Sequence, residues 1–190
     1  MARNPERRTA LIDAAIEVLA HEGARGLTFR AVDARAGVPV GTSSNYFASR
    51  DDLFMQAGAR INSRMTPDPA VVEEALRPGP SRELVTSLMR WLVQRMADDR
   101  TGYLAMLELR LEATRRPALR VQLTQTVRAE FDAGADFYRA AGLPGDHDTF
   151  RALYLAMTGV LLEHFTLPGV LSGTALDDLV ESVVTQIVPG

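Results

Sequence analysis

Thr42, Ser44, Asn45 and Tyr46 crowd hydrogen-bonding side chains onto one stretch of sequence that is too short to make a good core helix. Hydroxyls, a carboxamide and a phenol in such a row suit base edges and phosphate oxygens, which are read by donors and acceptors presented together. The same residues would equally decorate a solvated helix in an unrelated bundle. Other chemistry finds less support. The three histidines, His21, His147 and His164, show no metal-binding spacing, and no glycine-rich phosphate cradle is present. Asp146-His147-Asp148 is the one acid-base cluster, but it follows Pro144-Gly145 at a helix start, where an aspartate is expected as a cap. Asp51-Asp52 and Asp177-Asp178 likewise complement helix N-termini. With no cysteine in the chain, disulfides and thiolate chemistry are excluded. Neither catalysis nor a metal or cofactor is expected.

The elements carrying the polar stretch are helical. A first helix is expected from about Pro5 to His21, with Leu11, Ile12, Ala15, Val18 and Leu19 at three- and four-residue spacing and Asn4-Pro5 as its start. Gly23 and Gly26 end it. A second opens at Thr28, carries Val32 and Ala36 inward and breaks at Gly37-Val38-Pro39. A third runs from about Pro39 to Phe47. Ser49-Arg50-Asp51-Asp52 has the form of a capping box and opens a fourth. Two short helices after a longer one make a three-helix DNA-reading layout.

Proline and glycine at residues 66–69 and 77–80 mark the border of a second part, with at most a helical turn pair at 70–76 between them. Beyond it, helices are expected at about 81–98, 101–115, 118–141, 147–167 and 174–188, and no strand pattern competes. The expectation is an all-α chain of about nine helices: residues 1–48 a helix-turn-helix domain, 49–66 a connecting helix, and 67–190 a larger helical domain, to which the family resemblance given below assigns effector binding and dimerisation. Charge divides along the same line. Residues 1–66 hold nine arginines against seven acids, the remainder twelve against seventeen. The basic end suits phosphate, and Arg3, Arg7 and Arg8 form a candidate basic arm or simply solvated charges. No apolar run approaches the roughly 18 residues of a membrane span, and the charged N-terminus has no apolar signal core. A cytoplasmic protein without membrane contact is expected.

Gly26-Leu27-Thr28-Phe29-Arg30, Ala36-Gly37-Val38-Pro39-Val40-Gly41-Thr42 and Tyr46-Phe47-Ala48-Ser49-Arg50-Asp51-Asp52-Leu53-Phe54 together resemble the N-terminal domain of TetR-family regulators over about residues 8–55. The resemblance implies a homodimer whose N-terminal domains bind a palindromic operator on double-stranded DNA and whose larger domains bind a releasing ligand. It places Thr28 and Arg50 at phosphates, Arg30 at a base, and Val40, Gly41, Thr42, Ser44, Asn45 and Tyr46 on the recognition helix. Ser43 is expected to face either the core, where the family has a larger apolar residue, or the DNA. Two further departures from the family pattern are Ser44 in place of an aromatic residue and Asp33 in place of a small one. A carboxylate at a tight helix crossing needs a partner, with Arg30 or Arg35 as candidates.

In the second part, the helix at 147–167 is apolar nearly all round and the last helix carries an apolar stripe. Leu155, Gly159 and Leu162 with Val180, Val183, Val184 and Ile187 are expected at a two-fold four-helix interface, as the resemblance implies; the alternative is a core helix of a monomer. Met89, Trp91, Tyr103, Met106, Phe131, Tyr138, Tyr154 and Met157 supply side chains suited to a pocket for a small apolar or amphipathic effector, or are plain core. Glu108 is a candidate to select a cationic ligand there, whereas Glu112 with Arg115 or Arg116 reads as a surface pair. A ligand-released repressor is one functional reading; a DNA-binding regulator governed by a protein partner or by abundance is the other.

Overall fold

The computed structural model describes residues 4–190, so Arg3 of the candidate arm lies outside the described residues. Within them all regular structure is helical: α1 (Pro5–Gly26), α2 (Phe29–Arg35), α3 (Thr42–Tyr46), α4 (Arg50–Met65), α5 (Pro69–Ala75), α6 (Arg82–Asp98), α7 (Arg100–Ala113), α8 (Pro117–Ala140), α9 (His147–Thr166) and α10 (Leu176–Ile187). The helix beyond those expected is α5, whose start is capped by Asp68 through the Ala70 N–H at 2.8 Å.

The punctuation read from the sequence has physical counterparts. Asn4 Oδ1 accepts the Glu6 and Arg7 N–H groups at 2.9 and 3.3 Å and Pro5 takes the first helical position, where its missing N–H costs nothing. Gly23, at φ 69°, interrupts α1 one turn before its end, a conformation that side chains on Cβ disfavour. Thr28 caps α2 through Ala31 N–H at 3.1 Å. At α4, Ser49 Oγ accepts the Asp52 N–H, but the Asp52 carboxylate turns to the Ala48 N–H at 2.9 Å, so the box closes one residue early. Asp146 and Thr149 do form the reciprocal box that opens α9, which absorbs the one acid-base cluster as a cap.

The helices divide into two compact units, one comprising the chain up to Thr66 together with Asp99–Val127, the other Pro67–Asp98 with Arg128–Gly190. The chain break at 66–80 is therefore only one edge of the division, since α7 and the first half of α8 pack with the N-terminal helices. In the first unit, Leu11, Val18 and Leu19 of α1, Phe54 and Ile61 of α4 and Ala105 and Leu109 of α7 join one buried cluster. Asp13 of α1 meets Arg60 of α4 at 2.9 Å, and Arg64 bridges Asp13 to Asp99 at the start of α7. In the second unit, α10 packs against both α6 and α9. Its stripe divides accordingly: Val180, Val184 and Val188 are buried inside the protomer, so Val180 and Val184, expected at a dimer interface, are core residues instead.

The third helix is only five residues long, below the length at which a helix holds itself together. It is held from outside by Asp33 of α2. One carboxylate oxygen accepts the Gly41 N–H at 2.7 Å; the other accepts the Ser43 N–H at 2.7 Å and the Ser43 hydroxyl at 2.5 Å. Asp33 and Ser43 are both fully buried. The partner of Asp33 is thus neither Arg30 nor Arg35; Arg35 pairs with Glu17 and Glu22 of α1. Gly41 precedes the helix at φ 93°, which frees its N–H to meet the carboxylate.

Replacing Asp33 with Ala should cost about 2–3 kcal/mol, because the buried Ser43 amide and the part-buried Gly41 amide lose a charged acceptor, whereas Ser43→Ala should cost about 1 kcal/mol, since both amide bonds remain. Urea denaturation of both variants checks this, and equal losses would contradict the lock. At Gly58, buried on α4, an added Cβ would stand 3.5 Å from Leu123 and 3.6 Å from Leu109, ordinary contact distances. Gly58→Ala should therefore stabilise the first unit by about 0.5–1 kcal/mol through helix propensity, while Gly58→Leu should cost about 1–3 kcal/mol by overpacking; melting curves of the two should move in opposite directions.

Candidate nucleic-acid interface

With Ser43 facing inward on Asp33, Ser44 and Asn45 face outward, while Tyr46 packs partly against the core of the first unit. Ser44 and Asn45 are exposed, Thr42 and Tyr46 half-buried. Ser43 is therefore removed from the candidate DNA contacts: its hydroxyl and amide are both engaged in the interior. Val40 and Gly41 lie in the turn ahead of α3 rather than on the helix, and Val40 is 77% exposed, an apolar side chain with nothing of its own chain to cover it. Donors on the helix fold back on the turn: Thr42 Oγ1 to Pro39 O at 2.6 Å, Ser44 Oγ to Gly41 O at 2.8 Å, Asn45 Nδ2 to Gly41 O at 3.1 Å. These bonds hold the side chains ready and leave hydroxyl and carboxamide oxygens with further acceptor capacity.

Around this row, Thr28 and Arg30 are exposed at the start of α2, and Arg30 makes no ion pair with a described residue. Arg50 behaves differently from the sequence expectation of a freely presented cation. Its guanidinium is half-buried, lies 5.2 Å from the Phe54 ring centroid and donates to the Ala24 carbonyl. The N–H of the same Ala24 donates to Glu108 of α7 at 3.2 Å. One peptide residue after the Gly23 break is thus clamped from both sides, by α4 and by α7. Glu108 is a structural acceptor in the first unit, which corrects its reading as a cavity-facing selector.

A second set of ties escaped the sequence reading. Arg8 Nε donates to Gln56 Oε1 at 2.9 Å and its Nη1 to the Tyr46 carbonyl at 3.3 Å, with the guanidinium 5.4 Å from the Phe47 ring. Gln56 in turn donates to Asp52 at 2.6 Å. Arg8 is therefore a brace between α1, the end of α3 and α4, not part of a loose arm; Arg7 is exposed. Glu112 also departs from its reading as a surface residue. It is buried, accepts from Arg115 at 2.9 Å and Arg116 at 2.6 Å, and those bonds, Arg116 foremost, hold its carboxyl below the usual range against the opposing effect of burial. Arg116 continues to Asp51 at the start of α4.

The residues assigned to an effector pocket do not form one set. Tyr103, Met106 and Glu108 lie on α7 in the first unit, and Met106 packs against its core. Met89, Trp91, Phe131, Tyr138, Tyr154 and Met157 lie in the second. There Phe131 stands 5.3 Å from Phe150 and 5.1 Å from Tyr154, edge to face with the latter, while Tyr138 is buried and gives its hydroxyl to the Pro144 carbonyl at 2.6 Å. Arg95 covers the Trp91 ring at 5.0 Å. On α9, Leu155 and Leu162 are exposed, with Gly159 between them open to solvent. Val183 and Ile187 of α10 are half-buried. No group of metal-binding side chains and no helix long and apolar enough to cross a membrane occurs among the described residues.

Two family models match this chain: "Bacterial regulatory proteins, tetR family" over residues 11–57 and "Tetracyclin repressor-like, C-terminal domain" over residues 80–190. Among curated proteins it is 25% identical over 170 residues, 86% of either chain, to the nicotine-responsive transcriptional repressor HdnoR of Paenarthrobacter nicotinovorans. Among solved structures it is similar to a TetR-family member of Streptomyces coelicolor, at 32% identity and a TM-score of 0.72 over 98% of this chain and 100% of that one. The multidrug binding protein EbrR, solved with malachite green, is also 32% identical, with a TM-score of 0.69 over 98% of this chain and 100% of its own. Matched at both ends and along nearly its whole length, with the polar reading row turned outward from a braced three-helix head, the chain belongs to the TetR family and is a helix-turn-helix, DNA-binding transcriptional regulator, not an enzyme.

Proposed function

We propose that this regulator is a homodimeric repressor that holds a palindromic operator and is released from it by a small apolar or amphipathic effector. The observation that carries the DNA reading is the outward row on and around α3, held in place by a carboxylate that takes no part in the surface. Arg30, Thr42, Ser44, Asn45 and Tyr46 take base edges, and exposed Val40 meets a thymine methyl. Gly41 lets the turn approach closely. Thr28 holds phosphate, and so does Arg50, whose guanidinium has donors beyond the one given to Ala24. Ser44, small where the family is aromatic, leaves room for a different base contact from the family's usual one.

A palindrome requires two heads related by a two-fold axis. The exposed stripe of Leu155, Gly159 and Leu162 supports α9 as the seam, because an apolar row with a glycine at its centre lets a second helix approach closely. Val183 and Ile187 of α10 extend it. The aromatic and methionine residues of the second unit, Phe131, Tyr154, Met157, Met89 and Trp91, support an effector of the kind such side chains accommodate. The names of the relatives support release by a small molecule: HdnoR is nicotine-responsive, and EbrR was solved with ethidium, malachite green and proflavin.

Gel-shift or anisotropy titration on DNA upstream of the gene tests the reading. Arg30→Ala and Asn45→Ala should each weaken operator binding about tenfold or more, by roughly 1–3 kcal/mol per lost base contact, with unchanged circular dichroism, because both residues are exposed. The logarithm of affinity should fall linearly with the logarithm of salt concentration. Leu155→Arg should yield monomers on sedimentation and lose operator binding with its head intact. A panel of aromatic amines and dyes should include one that releases the DNA; if none does while binding stays palindromic, the repressor reading gives way to control by a partner protein or by abundance.

A further inference from the structure

A cavity of about 230 Å³ lies in the second unit where the end of α9, the following segment and the start of α10 come together. Val160, Leu171, Leu176 and Leu179 give it apolar walls, and Glu163 and His164 line it as well. Glu163 is the anomaly. Its Oε2 is shielded from solvent and accepts no hydrogen bond. A carboxylate oxygen in that state forfeits its hydration without compensation. The position aggravates the cost: Glu163 sits in the last turn of α9, where the helix dipole and the terminal carbonyls present negative charge and favour cations. The shielded, unpartnered Oε2 and the helix end both ask for a positive group at the same place.

We propose that this cavity is a binding site for a small organic ammonium ion, with the Glu163 carboxylate as its counter-ion and the leucine and valine walls around its apolar body. The site is separate from the aromatic group on α8 and α9 and does not rest on the effector reading. Its volume is below the roughly 300–1,000 Å³ of drug-sized sites, so the ligand is a compact amine. His164, whose ring packs on Phe165 with centroids 4.7 Å apart, offers a ring nitrogen as a second acceptor for the ammonium when neutral. Entry is past Pro168 and Thr174, both exposed at the rim.

The probe is benzylammonium chloride, with benzyl alcohol as its uncharged counterpart, titrated calorimetrically into the full-length protein and followed by thermal melting. Benzylammonium should bind and raise Tm, with benzyl alcohol at least tenfold weaker. E163Q, which keeps shape and removes charge, should weaken benzylammonium at least tenfold and, without ligand, melt no lower than the wild type, because the shielded Oε2 accepts no hydrogen bond that the change would remove. Thr174→Trp, filling the rim from an exposed position, should block binding by a second route should E163Q fold poorly. Equal binding of alcohol and ammonium, or affinity unmoved by both variants, would overturn the proposal. So would an E163Q protein that melts lower and dissociates to monomers more readily, which would assign the carboxylate to an arginine of a second copy.

Discussion

A buried carboxylate in α2 decides whether the five-residue helix α3 exists. Five residues cannot nucleate a helix in water, because the dihedral entropy of the first turn exceeds what one or two hydrogen bonds return. Asp33 supplies the missing stabilisation by accepting three donors from the residues around the start of α3. The arrangement fixes more than the presence of the helix. Two amides two residues apart on one carboxylate set the helix's rotation, so that Ser43 turns in while Ser44 and Asn45 turn out. Which side chains α3 presents at the surface is thus set by a residue that never reaches it.

The head has a second dependence, on a helix far along the chain. Ala24 follows the Gly23 break and would otherwise leave an amide and a carbonyl unmatched in a half-buried turn. Glu108 of α7 and Arg50 of α4 satisfy one each. A second path, Glu112 to Arg116 to Asp51, runs to the same end of α4. The bonds of Glu108 and Arg50 to Ala24 are charge-assisted and worth about 1.5–3 kcal/mol each, whereas the Arg116–Asp51 link, with Asp51 more than half exposed, adds at most about 1 kcal/mol. Hydrophobic packing of Leu109 and Ala105 alone would hold α7 near the head but would tolerate sliding; the hydrogen bonds to one peptide do not.

Local signals were legible and through-space ones were not. Asn4, Thr28, Ser49 and Asp146 announced helix starts because caps act over two or three residues, and glycines and prolines marked the breaks for the same reason. Asp33 stands out as a charge where a small residue is expected and its need for a partner is legible, but the sequence points to arginines where the structure supplies amides and a hydroxyl. Backbone amides are invisible in a sequence because every residue carries one. Glu108 and Arg8 were misread for a related reason: a long charged side chain reaches partners 84 and 48 positions away that no spacing rule connects. On α10 the stripe of valines was plain, yet periodicity cannot say whether a buried face meets its own chain or a copy. Val180 and Val184 went to the former.

Charge in the head follows from the same interior accounting. Its net excess of arginine over acids is small, and a raw count would predict a weak attraction for DNA. Neutralisation is uneven, however. Asp13 is matched by Arg60 and Arg64, Glu17 and Glu22 by Arg35, Asp51 by Arg116, and Asp33 by amides. Arg7, Arg25 and Arg30 are exposed and make no ion pair with a described residue. Fields from paired charges fall off as dipoles, and within a Debye length of about 8–10 Å a phosphate responds chiefly to the charges left unpaired. Matching almost every acid internally therefore lets a head with little net charge present a positive face, and Asp33, fully hydrogen-bonded, strengthens the reading helix with its negative charge kept inside.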